Sequence, residues 1–188
     1  FAIAIWDTRR QRLLLTRDRF GKKPLLYAHR DSWCAFASEL QALLVLPEIH
    51  RDIDPAAVGS YLSYMAVPAP QTIYRSIRKL PPAHVLTLKD GRASLRRYWQ
   101  LSFVPKQDLS DAEAAERSVE LLREAVRKRL VSDVPIGAFL SGGVDSSAVV
   151  ALMAELSDQP VKTFSIGFDE EAYNELPYAR RVAEEFGC

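Results

Sequence analysis

The sequence is short of the features that most readily disclose a function. It has two cysteines, Cys34 and Cys188, with no C-x-x-C pair. That excludes a disulfide framework and fits a reducing, cytoplasmic setting. The three histidines, His29, His50 and His84, are scattered without metal-ligand spacing. Neither sign of charge dominates: 25 Lys and Arg stand against 24 Asp and Glu, a net charge of +1. The balance offers no electrostatic footprint for nucleic acid or an anionic membrane. No apolar run is long enough for a bilayer span, and no signal peptide is visible. There is no initiator methionine either. The chain opens at Phe1, inside a strand-like run, and reads as a fragment whose N-terminus lies elsewhere. Nor is there a G-x-x-x-x-G-K-[ST] loop, because "FGKKP" lacks the first glycine at the required spacing.

What is present is ample apolar material, 48% of 188 residues, enough for one or two cored domains. "FAIAIW", "RLLLTRD", "PLLYAHR" and "WCAFAS" follow one another at short spacing, separated by polar turns such as "DTRRQ" and "HRDS". This is the rhythm of antiparallel strands. Cys34 is expected to be a core thiol on the last of them. "SELQALLVL" predicts a short helix with a capping box from Ser38 and Gln41. "DPAAVGSYLSYMAV" predicts another, capped by Asp54 with Pro55 at its first position. "PAPQTIYRSIRKLPPAH" carries five of the eleven prolines and reads as a rigid connection. "HVLTLKDGRASLRRYW" reads as a hairpin turning at Asp90-Gly91. The local excess of arginine and lysine from Arg75 to Arg97 is read as a solvated face.

A domain boundary is placed between Val104 and Ser110. The period then changes. Ser110 and Glu113 form a capping box, and Ala115, Val119, Leu122, Val126 and Leu130 make one face of a long helix. "PIGAFL", "SSAVVALMAEL", "VKTFSIGF" and "NELPYARRVAEEFG" alternate strand and helix, which argues for a parallel sheet with crossovers.

The chemistry sits in "FLSGGVDSSAVV", between a strand and a helix. Open α/β sheets place ligands beyond the carboxyl ends of their strands. Helix N-termini hold anions. Gly142 and Gly143 allow close backbone approach, and Ser141, Ser146 and Ser147 add hydroxyls. Asp145 is the awkward member, since a bare carboxylate repels phosphate. A divalent cation between them resolves the conflict, and Mg²⁺ is ordinarily held by one or two carboxylates plus phosphate oxygens. The expected ligand is a polyphosphate with its metal, ATP above all. Asp145 is the expected metal ligand. The alternative is a tight turn with Asp145 as a helix cap.

"SGGVDSS" resembles the pyrophosphate loop of the ATP-pyrophosphatase enzymes. "RLVSDVPIGAFL" and "TFSIGF" narrow the likeness to the glutamine-hydrolysing asparagine synthetase family. "RDRFGKKPLLY", "FASELQALL" and "KLPPAHVL" through "RYW" resemble the end of that family's amidotransferase domain and its linker. The resemblance implies an α+β N-terminal part with antiparallel sheets, like an N-terminal-nucleophile hydrolase. An α/β parallel-sheet ATP-pyrophosphatase domain follows, and both are truncated. It assigns residues 1–48 to the amidotransferase domain, 49–105 to the linker and hairpin, and 106–188 to the synthetase domain. It implies ATP-dependent amidation of aspartate through an acyl-adenylate, with release of AMP and pyrophosphate. The substrates implied are ATP, aspartate and glutamine, with Mg²⁺ and with neither nucleic acid nor membrane as partner. A homodimer is left open.

By the same resemblance, Ser141, Gly142, Gly143, Asp145, Ser146 and Ser147 bind phosphates and metal. Leu140 and Ile166 match positions that contact the adenosine portion, although both are also ordinary core residues. The family's nucleophile is a cysteine at the mature N-terminus. Here position 1 is Phe and Cys34 is internal. The family's aspartate-recognition segments follow the stretch matched here. No residue of this chain is therefore assigned as catalytic. Two further readings compete. One is another amide-forming ligase, such as a β-lactam synthetase or a peptide- or glycan-modifying amidotransferase. The other is a non-catalytic nucleotide-binding module.

Overall fold

The computed structural model describes residues 1–30 and 33–188. It divides into two compact units, Phe1–Val104 and Pro105–Cys188. Of the "HRDS" turn, Asp31 and Ser32 lie outside the described residues.

The first unit is α+β, with two antiparallel sheets. One has the order β1 (Ala2–Asp7), β2 (Arg12–Arg17), β6 (His84–Lys89), β7 (Arg92–Arg97). The other has the order β4 (Trp33–Ala37), β3 (Leu26–Arg30), β5 (Arg78–Lys79). The segment read as linker and hairpin thus supplies β5, β6 and β7 to these sheets. The β6–β7 turn is the expected two-residue one. Asp90 and Gly91 both take positive φ, 49° and 73°, as a type I′ turn requires.

Alternation along "PLLYAHR" sets the layering. Leu25 joins Leu15, Leu80, Leu86 and Leu88, with Tyr27 and Cys34 packed against them, so this cluster joins the two sheets. Leu26 and Ala28 turn the other way and pack with Leu43 of α1 (Leu40–Leu44), Ile49 and Ile77. The α2 helix (Pro55–Tyr64) begins as expected, with Asp54 accepting a hydrogen bond from the Ala56 N–H at 3.1 Å.

Two expectations fail locally. The Ser38–Gln41 capping box does not form, because the first helical residue is Leu40 and the cap position falls on Glu39, which makes no side-chain capping bond. Ser38 is one residue too early for the required spacing. Cys34 is half-buried rather than fully buried.

The motif "RDRFGKK" ties this unit together. Arg17 donates to three carbonyls: Lys23 at 2.8 Å, Leu80 at 2.8 Å and Gly21 at 2.6 Å. Asp18 accepts from the N–H groups of Phe20, Lys22 and Lys23 at 3.0–3.1 Å. Burial alone would raise the Asp18 carboxyl, but these amides outweigh it and hold it well below its ordinary value of 3.8. A depressed folded-state value stabilises the fold above the unfolded value and is lost as pH falls through the folded one. Denaturation midpoints should therefore fall below about pH 4. In Asp18→Asn the neutral-pH midpoint should be lower and its acid slope shallower. An unchanged slope would show that Asp18 does not govern acid stability.

The second unit runs α3 (Asp111–Arg129), β8 (Gly137–Phe139), α4 (Val144–Leu156), β9 (Lys162–Phe164), α5 (Leu176–Phe186). The capping box at α3 is formed, with Ser110 Oγ accepting from Glu113 N–H and the Glu113 carboxylate accepting from Ser110 N–H at 2.8 Å. The expected apolar face is used only in its second half. Val126 is buried with Leu152, Met153 and Val161, and Leu122 and Leu130 pack beside it. Ala115 and Val119 are exposed.

β8 and β9 form a small parallel sheet, pairing Ala138 with Thr163 and Phe139 with Phe164. The second strand is shorter than "VKTFSIGF" suggests. Pro177 does not prevent α5, because it lies in the first turn, where no intrahelical N–H is needed. Among the described residues no helix is long and apolar enough to cross a membrane.

Candidate functional site

The loop "SGGVDSS" leaves the carboxyl end of β8 and enters α4. Its backbone is set at three points. The Leu140 N–H donates to the Phe164 carbonyl at 2.9 Å, extending the β8–β9 ladder. The Leu140 carbonyl then accepts from Ser165 Oγ at 2.6 Å. Gly142 takes φ +82°, a conformation that favours glycine. A Cβ there would lie 2.5 Å from Tyr178 Cβ and 2.7 Å from Ala179 N, so the loop seats directly on the first turn of α5.

The hydroxyls form one connected set. Ser141 Oγ accepts from Gly143 N–H at 3.3 Å and lies 3.0 Å from Ser146 Oγ. Ser146 Oγ accepts from Ser141 N–H at 3.3 Å and donates to the Gly143 carbonyl at 3.1 Å. Ser147 Oγ donates to that same carbonyl at 2.8 Å. Gly143 is the cap residue of α4 and offers no side chain to the helix. The N–H groups of Val144, Asp145 and Ser146 thus start the helix without intrahelical acceptors. They give the loop its donors and its partial positive charge.

Asp145 is the second residue of α4 and is exposed. Its side chain does not cap the helix, since α4 has no side-chain capping bond. Among the described residues no three His, Cys, Asp or Glu side chains gather into a metal site. One carboxylate beside a phosphate-sized cradle suits a cation that arrives with a polyphosphate, not a resident one.

A cleft of about 390 Å³ opens beside the loop. Leu140, Ser141, Ser146 and Ile166, all expected from sequence, line it together. Leu140 has its side chain in the core, packed with Val150 and Ala179. Ile166 is 70% exposed, which removes the core reading for that residue. Gly142, Gly143, Asp145 and Ser147 belong to the loop but do not line this cleft. Sequence reasoning missed Ser165, Phe168 and Glu175, which do. Ser165 could have been found, because it directly follows the short strand β9. Glu175 could not, because an irregular stretch and a 3₁₀ turn (Glu171–Tyr173) bring it there.

In the first unit, burial pushes the Cys34 thiol up to about 11. At neutral pH it is overwhelmingly the thiol, the opposite of an activated nucleophile.

Comparison with known proteins agrees with both halves. Residues 1–99 match the family model described as a glutamine amidotransferase domain. Residues 118–188 match the model described as asparagine synthase. The chain is 34% identical over 203 aligned residues to asparagine synthetase [glutamine-hydrolyzing] 3 of Bacillus subtilis. That alignment covers 100% of this chain and 33% of that protein. It is 36% identical over 190 residues to a putative asparagine synthetase [glutamine-hydrolyzing] 2 of Methanocaldococcus jannaschii, covering 99% of this chain and 37% of that protein. Amidase chry2 of Gibberella zeae is 32% identical over 206 residues, covering 100% of this chain and 30% of that protein. The chain thus spans about a third of the length of these relatives. With both family models matched in chain order and relatives aligned from end to end, the chain belongs to the glutamine-hydrolysing asparagine synthetase family.

Proposed function

We propose that the second unit is part of an ATP-pyrophosphatase domain. Its loop holds the polyphosphate of magnesium-bound ATP for the amidation of aspartate, with glutamine as the source of ammonia. The observation that carries this reading is the loop itself. Its hydroxyls, a positive-φ glycine and free helix-start amides converge at the carboxyl end of a parallel strand, with one carboxylate not used as a cap.

The chemistry needs such a cradle. A carboxylate is a poor electrophile, since its charge repels nucleophiles and oxide does not leave. Attack by a carboxylate oxygen on the α-phosphorus of ATP forms an acyl–phosphate bond and breaks the bond to the β-phosphate. Ammonia then attacks the acyl carbon, and AMP departs with the electron pair of the broken C–O bond. The loop's part is electrostatic. Its N–H groups and the Ser141 and Ser146 hydroxyls meet the charge that develops on the departing pyrophosphate. Asp145 would hold the metal that accompanies the phosphates. Leu140 and Ile166 would flank the adenosine.

Calorimetric titration with ATP, with and without magnesium, tests the reading. Binding should require magnesium and should compete with pyrophosphate. Equal affinity without magnesium would overturn the metal bridge, and no competition by pyrophosphate would overturn the loop as the site.

A second acceptor is favoured by one observation, the similarity to amidase chry2 across the whole chain. The loop activates any carboxylate alike, so the acceptor must be read from product analysis with a panel of amino acids. Amide formation on a carboxylate other than aspartate would establish this second reading.

A further inference from the structure

We propose that Glu175 reads the sugar of the bound nucleotide, its carboxylate accepting hydrogen bonds from the two ribose hydroxyls. The inference rests on the reading that the neighbouring loop holds the phosphates of ATP. It begins from the cleft beside that loop, whose lining is apolar apart from three serines and one ionisable residue, Glu175. The serines are engaged already. Ser141 and Ser146 are joined to each other, and Ser165 gives its proton to the Leu140 carbonyl. Glu175 occupies the cap position of α5, yet its side chain makes no capping bond. Its carboxylate is the strong acceptor the cleft has to spare.

Its position is also fixed. The Glu175 carbonyl accepts from the N–H groups of Tyr178 and Ala179, both at 3.1 Å. Those same residues form the surface on which Gly142 sits. Carboxylate and phosphate loop are therefore tied to one turn of helix.

Charge decides which end of the ligand Glu175 meets. A carboxylate next to phosphate is repelled, so it belongs at the uncharged end, the nucleoside. A flat base suits the apolar wall that includes Phe168 and Ile166. The remaining neutral donors are the vicinal ribose hydroxyls, and two carboxylate oxygens match two adjacent O–H groups.

The test compares ATP, 2′-deoxy-ATP and magnesium pyrophosphate by calorimetry on the wild-type chain, Glu175→Ala and Glu175→Gln. The wild type should prefer ATP to the deoxy analogue by about tenfold or more, the effect of one hydrogen bond to a charged acceptor. Glu175→Ala should lose most of that preference, and Glu175→Gln should keep part of it through its single carbonyl. Pyrophosphate carries no sugar, so its affinity should change less than about twofold. A preference that survives both substitutions would overturn the proposal. So would a parallel loss for ATP, its deoxy analogue and pyrophosphate. If the wild type bound neither ATP nor pyrophosphate, the phosphate-loop reading itself would fall, a result distinct from the others.

Discussion

Replacing Asp145 by alanine is expected to weaken magnesium pyrophosphate binding by about 2–4 kcal/mol, the range for electrostatic groups in other active sites. That is roughly 30- to 1,000-fold in affinity. The sign follows from charge. Backbone amides and hydroxyls supply partial positive charges, while Asp145 supplies a full negative one. A polyphosphate brought in without metal meets that carboxylate directly. Removing it should cost much less in the absence of magnesium, or even improve binding. Ser147 provides the contrast. Its hydroxyl is engaged with the Gly143 carbonyl at 2.8 Å. Ser147→Ala should lose only about 0.5–1.5 kcal/mol, as for one neutral hydrogen bond. The paired titration, with and without magnesium, separates the two residues. Equal losses from Asp145→Ala in both conditions would sink the metal bridge.

Gly142→Ala should be the most damaging small substitution in the second unit. Two costs add at one residue. The backbone at φ +82° strains any L side chain by about 1–2 kcal/mol. The new methyl would also stand 2.6 Å from the Tyr178 carbonyl carbon, closer than real contacts allow. Relief requires the loop to lift from α5, which adds about 1–3 kcal/mol of overpacking. The neighbouring glycine is the control. Gly143 has φ −72°, and a Cβ there meets only Ser141 Oγ at 3.4 Å. Gly143→Ala should cost at most about 1 kcal/mol, that of a poorer cap residue. Chemical denaturation of the two variants measures the difference directly. Equal destabilisation would show that the loop does not depend on its seat against α5.

Sequence reasoning reached the parts of this molecule that local rules govern. Asp54-Pro55, Ser110 with Glu113, and Asp90-Gly91 each carry their signal within four residues, and each forms the feature expected of it. The loop from Ser141 to Ser147 was legible for the same reason. The misses came where a distant partner decides. Ser38 has the right residue type for a cap, but the chain enters α1 one residue later. Ala115 and Val119 have the right period, but only Leu122, Val126 and Leu130 find packing partners. The role of "RDRFGKK" was hidden in the same way, since Arg17 reaches Leu80, 63 residues away. Glu175 enters the cleft by tertiary placement alone.

The locally basic stretch that first reads as a solvated face ends in β7, which is exposed along its whole length and carries Arg92, Arg96 and Arg97. β7 closes one side of the four-stranded sheet. An unpaired strand edge is a template for another chain, and dense like charge is a common way to deny it. Two copies approaching through β7 would bring six guanidinium groups into one ladder. The arginines thus set a direction of growth: the sheet can recruit further strands beside β1, and self-association through β7 is disfavoured.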